Sequence, residues 1–133
     1  MTATEARLEV DLTSGVPVYE QIRGQVVAHV AAGRLRTGDR LPTIRALATD
    51  LGIAPGTVAR AFRELESAGV VLTRRRTGTV VAPGVVPADD APRRAADAYA
   101  RAARAAGLSD DAAIDLVRGA LMSRESAGPP LRT

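Results

Sequence analysis

The sequence predicts a mainly helical α+β fold, in which three short helices and a β-hairpin form one domain and a smaller pair of helices follows. Apolar residues recur at helical spacing in three successive segments between residues 18 and 68, and each segment ends near a glycine. Two runs rich in β-branched residues then flank a basic, glycine-containing turn. A proline-containing stretch separates this domain from an alanine-rich C-terminal region.

The segment before the first helix, residues 1–15, is predicted to be an N-terminal arm. Apolar and polar residues alternate at Leu8, Val10 and Leu12, which indicates a short strand or an ordered arm. The first helix begins after Pro17 and ends before Gly33, a residue type that favours helix termination. Its apolar positions are Tyr19, Ile22, Val26 and Val30.

Two shorter helices follow a turn at Arg36–Asp39. Thr43 is a suitable N-cap for the second helix, and Gly52 is suited to end it. Pro55 suits the first position of the third helix, because the N–H that proline lacks would have no partner there, and Gly69 ends that helix. The predicted apolar faces are Ile44, Leu47, Ala48 and Leu51 in the second helix, and Val58, Ala61, Phe62 and Leu65 in the third.

A β-hairpin is predicted after the third helix, with strands at Val70–Leu72 and Thr79–Val81 and a tip at Arg74–Gly78. Two short helices joined by a glycine turn and followed by such a hairpin are the pattern of a winged helix-turn-helix domain, here residues 16–83. In this arrangement the second helix of the turn enters the major groove of DNA, and the hairpin, or wing, lies beside it.

The positive charge is concentrated in the same region. Residues 34–76 contain nine arginines and four acidic residues, whereas the segment before them is net negative and the segment after them is neutral. Every basic residue except one histidine is arginine, a composition that a genome-wide codon bias would also produce. The placement of the charge, rather than its chemical type, therefore indicates a local phosphate-binding surface.

The third helix and the wing carry the candidate DNA contacts. Gly56 allows close approach of the backbone, Thr57 suits a phosphate or a thymine methyl, and Arg60 suits a guanine or a phosphate. Taken alone, each is also explained as an ordinary solvated residue, so the interpretation depends on their combination. The complete predicted set is Thr43, Arg45, Gly56, Thr57, Arg60, Arg63, Arg74, Arg75, Arg76, Thr77 and Gly78.

Beyond the hairpin, the sequence predicts a linker at residues 84–91, a helical segment at 92–125 and a disordered tail at 126–133. An alanine-rich helix covers about 92–106, and Ser109 caps a final helix. We expect this pair to mediate dimerisation, because its alanines allow close packing but enclose too little volume for a roomy ligand pocket. The predicted interface residues are Ala95, Tyr99, Ala102, Leu108, Ile114, Val117 and Leu121.

The signatures of other functional classes are missing from the sequence. Without cysteine there is neither a disulfide nor a thiolate site, and the single histidine, His29, has no companion at metal-ligand spacing. We find no nucleophile elbow, phosphate loop or paired catalytic histidines, so we expect no enzyme activity and no cofactor. A signal peptide and a membrane-spanning run are also missing, which predicts a cytoplasmic protein.

Residues 16–83 resemble the GntR family of transcription regulators, and the short C-terminal part is similar to its YtrA-like subfamily. The resemblance implies a dimer that binds a palindromic operator, usually as a repressor and often beside transporter genes. Because the family commonly has arginine at the positions of Pro55 and Ala59, operator contacts here should depend more on Arg45, Thr57, Arg60 and the wing. The motifs that carry the resemblance are Val16–Ile22, Gly33–Leu35, Gly38–Ala48, Gly52–Pro55, Thr57–Val58 and Gly78–Val81.

These observations predict a homodimeric transcription regulator, most simply a repressor. The alternative is an architectural DNA-binding protein without strong sequence preference. A small-molecule effector is compatible with either function, although nothing in the sequence indicates one.

Overall fold

The computed structural model describes residues 6–84 and 90–127, and the chain divides into two compact units at Asp89 and Asp90. The elements of the first unit are α1 (Val18–Ala31), α2 (Ile44–Leu51), α3 (Pro55–Ser67), β1 (Val71–Arg74) and β2 (Gly78–Val81). The second unit contains α4 (Asp90–Ala105) and α5 (Asp110–Ala127). This order of helices and one two-stranded antiparallel sheet confirms the predicted fold class.

The core of the first unit lies where α3 packs against α1, α2 and β1. Each helix contributes one apolar face to it, and burying an aliphatic side chain of this size contributes roughly 1.5–3 kcal/mol. The helical periodicity in the sequence therefore identified most of the buried positions, although Ile44 is exposed and Tyr19 and Leu51 are only half-buried. The fully enclosed side chains are Ile22, Val26, Val58, Leu65, Val71 and Val81.

The helix ends follow the capping residues that the sequence predicted. The Thr43 hydroxyl accepts a hydrogen bond from the Ala46 N–H at 3.0 Å, which satisfies one of the unpaired donors at the start of α2. Gly52 ends α2 with a φ of 69°, a left-handed conformation that glycine adopts at low cost. Pro55 occupies the first turn of α3.

The wing is a hairpin with one additional paired segment. β1 and β2 are antiparallel, with Val71 opposite Val81 and Arg74 opposite Gly78. On the other edge of β2, an isolated bridge joins Arg40 to Val80, and the Leu41 N–H donates to the Thr79 carbonyl at 2.8 Å. The chain before α2 thus covers the second edge of the hairpin, a pairing that the sequence analysis did not predict.

Residues 6–15 of the N-terminal arm form no strand and instead run along α1. Gln25 accepts from the Glu9 N–H at 2.9 Å and donates to the Glu9 carbonyl at 2.7 Å. Gln21 makes the same pair of bonds to Asp11, at 2.8 and 3.0 Å. Four helical residues rise about 6 Å, close to the span of two extended residues, so successive amides reach alternate arm residues. The ordered arm, rather than the short strand, is therefore the correct alternative.

His29 continues this ladder towards the C-terminal end of α1. Its Nε2 lies 2.8 Å from the Arg7 carbonyl oxygen, and its Nδ1 accepts a hydrogen bond from Arg34 Nε at 2.9 Å. Both ring nitrogens have protein partners, so this side chain joins the arm and Arg34 to α1.

The helices of the second unit extend beyond their predicted bounds. α4 begins at Asp90 rather than at residue 92, because an acid and a proline are both favourable in a first helical turn. The Ser109 hydroxyl accepts from the Ala112 N–H at 3.1 Å, as expected of a cap. α5 continues to Ala127, so the predicted tail starts too early. Residues 1–5 of the predicted arm, 85–89 of the linker and 128–133 of the tail lie outside the described residues.

Candidate nucleic-acid interface

The first turn of α3 presents backbone and small side chains. Ala54, Pro55 and Gly56 are exposed, and a Cβ added to Gly56 would meet no atom within 4 Å. Thr57 is half-buried, and its N–H donates to the Ala54 carbonyl at 3.1 Å. The space in front of this turn is therefore open, and Thr57 supplies its only side-chain hydroxyl.

The two arginines of α3 are in different environments. The Arg60 guanidinium lies over the ring of Tyr19 in α1, with its central carbon 3.8 Å from the ring centroid. Arg60 also donates to the Tyr19 hydroxyl at 3.1 Å, and its Nε is 3.6 Å from a Glu64 carboxylate oxygen. Arg63 is exposed and makes no hydrogen bond or ion pair with another described residue. Tyr19 thus contacts Arg60 as well as packing against the core.

The start of α2 contributes two predicted DNA contacts, Thr43 and Arg45. Both residues are exposed. The Thr43 hydroxyl oxygen accepts the capping hydrogen bond, which leaves its own proton available to a phosphate oxygen. Arg45 has no charged partner in the part of the chain that the structure describes. This helix end therefore combines an available cation with a hydroxyl donor.

The tip of the wing is a three-residue turn, Arg75–Thr77, between the last strand pair, Arg74 and Gly78. All five residues are exposed. Gly78 has a φ of 77°, so a residue with a Cβ would be strained there even though the space around it is open. The geometry places two guanidinium groups on this short, solvent-facing turn and a third, that of Arg74, at the adjacent end of β1.

The arginines of α2 and the wing are not neutralised by nearby carboxylates. Within residues 6–84 and 90–123, the ion pairs link residues three or four apart on a single helix. None of them involves Arg45, Arg63 or the wing arginines. The pairs are Arg23–Glu20, Arg60–Glu64, Arg93–Asp90 and Arg118–Asp115.

The described residues contain no group of three or more His, Asp or Glu residues that could hold a metal ion. None of the helices in those ranges has the length and apolar character that crossing a lipid bilayer requires.

The second unit contains an open apolar cleft of about 400 Å³ between α4 and α5. The cleft is open to solvent rather than enclosed, so the expectation that this unit encloses no roomy ligand pocket stays a prediction. The alanines of α4 leave space because Ala103, rather than Ala102, faces α5, and Ala103 is only 5% exposed. The Tyr99 hydroxyl closes one side by donating to the Ala113 carbonyl at 2.7 Å.

The predicted interface residues lie at different depths in this unit. Tyr99 and Leu108 are half-buried, whereas Ala95 and Ala102 are exposed. The large apolar side chains of α5 are exposed to solvent to an unusual extent for their type, with Leu121 at 60%. These exposed residues are Ile114, Leu116, Val117, Leu121 and Met122.

Sequence reasoning missed two groups of contacts in the first unit. The Gln21, Gln25 and His29 ladder carried a detectable signal, because hydrogen-bonding side chains recur every four residues on one helix face. The contact between Tyr19 and Arg60 carried none, because the two residues are 41 positions apart. Only the packing of α1 on α3 brings them together.

Known proteins with a similar sequence identify the family of the first unit. Residues 18–81, which span α1 to β2, match the family described as bacterial regulatory proteins, gntR family. The HTH-type transcriptional regulator Rv1152 of Mycobacterium tuberculosis is 50% identical over 107 residues, which cover 80% of this chain and 88% of that protein. The chain belongs to the gntR family. It is accordingly a DNA-binding transcription regulator.

A second relative connects the chain to the YtrA-like branch of the gntR family. The HTH-type transcriptional repressor YtrA of Bacillus subtilis is 39% identical over 74 residues. The match covers 56% of this chain and 57% of that protein, so the chain spans just over half the length of YtrA.

Solved structures agree with the gntR assignment. YtrA from Sulfolobus acidocaldarius, a GntR-family transcription factor, has a TM-score of 0.51 at 32% identity and covers 70% of this chain and 93% of its own. The DNA-binding domain of AraR in complex with operator ORX1 has a TM-score of 0.52 at 25% identity, covering 57% and 98%. A transcriptional antiterminator from Listeria monocytogenes shares the fold over 93% of this chain and 95% of its own, with a TM-score of 0.57 at 24% identity.

Proposed function

We propose that this chain is a homodimeric repressor that binds a palindromic operator, with α3 in the major groove and the wing on the adjacent backbone. The observation that carries the proposal is the set of exposed arginines on α2, α3 and the wing that lack carboxylate partners among the described residues. Phosphate contacts by such side chains supply most of the affinity of a DNA-binding protein. The AraR domain, whose fold is similar, was solved with an operator, which supports the same use of the fold here.

The proposed contacts divide into base reading and positioning on the backbone. Thr57 and Arg63 on α3, together with Arg45 on α2, lie on the elements that face base edges and neighbouring phosphates in such domains. The Thr43 hydroxyl and the backbone at Gly56 would lie close to the same phosphates. Contacts from the wing to phosphates and the minor groove are assigned to Arg74, Arg75, Arg76, Thr77 and Gly78.

The proposed dimer is formed by the second unit. Five large apolar side chains of α5 are exposed, and a second copy is the partner whose matching face is always available. Closed two-fold symmetry would present two copies of α3, and a palindromic operator mirrors that symmetry. Repression is supported by the name of the YtrA relative. Such a regulator would act in the cytoplasm beside the chromosome, and the proposal includes neither a cofactor nor a catalytic step.

Selection of bound sequences from a random duplex pool tests the proposal. We expect the purified chain to sediment as a dimer and to enrich a palindrome. Its affinity should fall steeply as the salt concentration rises. On a plot of the logarithm of the association constant against the logarithm of the salt concentration, each phosphate contact should add about 0.9 to the downward slope. The matched control is the triple variant Arg74→Ala, Arg75→Ala and Arg76→Ala, which should bind with a smaller slope. A monomer with equally weak affinity for every duplex would contradict the proposal.

One observation favours the architectural alternative. The exposed positions at the start of α3 are Ala54, Pro55 and Gly56, and Ala59 follows a turn later. These residues have no side-chain donor or acceptor with which to read base edges. Competition separates the two functions, because random DNA should displace an architectural protein as efficiently as the selected palindrome does, whereas a specific repressor should be displaced only by the palindrome.

A further inference from the structure

Arg60, on the recognition helix, is held by three contacts with the protein itself. The planar guanidinium stacks on the ring of Tyr19 at 3.8 Å, which uses one of its two faces. Its Nη2 donates to the Tyr19 hydroxyl at 3.1 Å, and its Nε lies 3.6 Å from Glu64. These contacts engage Nη2 and Nε, so a bidentate contact with a guanine through those two nitrogens would compete with them.

Arg63 provides an internal comparison on the same helix. The two arginines are three residues apart, so they point about 60° apart around the helix axis. Both are exposed, but Arg63 makes no hydrogen bond or ion pair with any described residue, whereas Arg60 is joined to α1. The Arg60 guanidinium is therefore already in contact with α1, whereas the Arg63 guanidinium makes no such contact with a described residue.

Charged neighbours extend the contact across the boundary between α1 and α3. On α1, Arg23 Nε lies 2.9 Å from Glu20, and on α3 Arg60 is paired with Glu64. The hydrogen bond from Arg23 lowers the pKa of Glu20, and the positive charges of Arg23 and Arg60 add to that effect. Two acids and two arginines thus face one another around Tyr19, and both helices contribute to a single electrostatic network.

We propose that Arg60 is a positioning residue, which fixes the recognition helix against α1 through Tyr19, rather than a residue that reads a base. The inference rests on the proposed function in one respect, namely that α3 enters the major groove. Arg63 and the wing then supply the cationic contacts to DNA. Tyr19 and Glu64, which lie outside the predicted contact set, become determinants of operator affinity.

The experiment uses the palindrome that the unaltered chain selects, together with a set of duplexes that each change one base pair of it. The affinity of every protein variant is measured for each of these duplexes, and the measurements are repeated across a salt series. Arg60→Ala should weaken binding by about tenfold, within the range for residues that act through packed networks. The loss should be equal for all base variants, and the salt slope should not change. Arg63→Ala, the matched control, should reduce the slope by about 0.9 or relax the preference at one base pair.

Variants of the partner separate stacking from charge. Tyr19→Phe keeps the ring and should retain most of the affinity, whereas Tyr19→Leu should reproduce the loss of Arg60→Ala. The double variant Tyr19→Leu with Arg60→Ala should bind no more weakly than either single variant, because both remove the same contact. Arg60→Lys keeps the charge but loses the planar stack, and should behave as Arg60→Ala does.

Several outcomes would overturn the inference. These are a smaller salt slope or a lost preference at one base pair in Arg60→Ala, full affinity in Arg60→Lys, or losses that multiply in the double variant. Failure of the unaltered chain to enrich any sequence would instead refute the proposed function. A double-mutant cycle of Tyr19→Leu and Arg60→Ala in urea unfolding then still tests the contact without DNA, and zero coupling there would overturn the inference by itself.

Discussion

The two units of this gntR-family chain differ in how much of their apolar surface they bury. In the first unit, side chains from three helices, the wing and the N-terminal arm enclose a continuous core. In the second, Ala103 is the one apolar residue that the described part of the chain buries fully, and Met122 is 72% exposed. A large apolar surface on two short helices is unfavourable in water.

Length makes the same distinction. The second unit runs from Asp90 to Thr133, which is close to the length of roughly 40 residues below which a folded unit usually needs a metal, disulfides or a partner. The sequence contains no cysteine, which leaves association as the simplest way to stabilise the unit. The first unit thus encloses a core of its own, whereas the second leaves apolar side chains exposed, which is why we assign the proposed dimer contact to the second unit.

Charging the α5 surface should have the largest effect. In the double variant Val117→Asp and Leu121→Asp, two carboxylates would replace exposed apolar side chains at the proposed dimer contact. A buried charge without a partner costs about 3–5 kcal/mol, so the dimer dissociation constant should rise at least 100-fold. Sedimentation equilibrium measures this change directly, and operator affinity should fall with it.

Ser123→Asp is the matched control for this prediction, since it adds a carboxylate to an exposed polar position of the same helix. It should leave the association unchanged. If the double variant remains a dimer at the concentration of the unaltered chain, α5 does not form the contact, and the contrast between the two units fails.

Shortening a core side chain of the first unit should have the next largest effect. Ile22 is completely buried in α1, and replacing such a residue by alanine typically costs about 2–5 kcal/mol through lost transfer energy and a residual cavity. Ile22→Ala should therefore lower the free energy of unfolding in urea by that amount. Because this core belongs to one chain, the loss should not depend on protein concentration.

Val27→Ala tests whether burial is the cause, because Val27 lies on the same helix and is 39% exposed. Its loss should be clearly smaller than that of Ile22→Ala. A loss of Ile22→Ala that disappears at high protein concentration would show that the first unit also depends on association, which would remove the difference between the units.

The same contrast explains how much of the fold the sequence could predict. Helix periodicity, the Thr43 cap, Gly52 and Pro55 are local signals, and each identified its element in the first unit. The bridge from Arg40 to Val80 was not predicted, because a single pair leaves no alternating pattern in the sequence. In the second unit, the helices extend past the predicted start at residue 92 and the predicted end at residue 125. The residues beyond those bounds are compatible with a helix, and no local signal in the sequence marks where the helices begin and end.

The candidate site was predictable to the same extent. Composition and position identified the wing arginines, because a basic turn in a hairpin is exposed whatever else surrounds it. The state of Arg60 was not accessible, since its partner Tyr19 is distant along the chain and belongs to another helix. Sequence thus locates cations on elements, whereas the structure determines which of them are already engaged.

The arm is joined to α1 by hydrogen bonds that are exposed to solvent, so breaking one pair of them should have the smallest effect. Gln25→Met preserves side-chain length but removes both hydrogen bonds to Glu9. Because these bonds are exposed and water competes for the same groups, we expect a loss of only about 1 kcal/mol in the free energy of unfolding. Hydrogen exchange at the Glu9 amide should accelerate far more than exchange at the core amides of α3, because the arm opens locally while the core stays closed.

Val27→Met, on the same helix, supplies the control for the added methionine. If hydrogen exchange instead accelerates equally at all amides of the first unit, the arm and the core open together. The arm would then belong to the same cooperative unit as the core, rather than being a segment that opens independently of it.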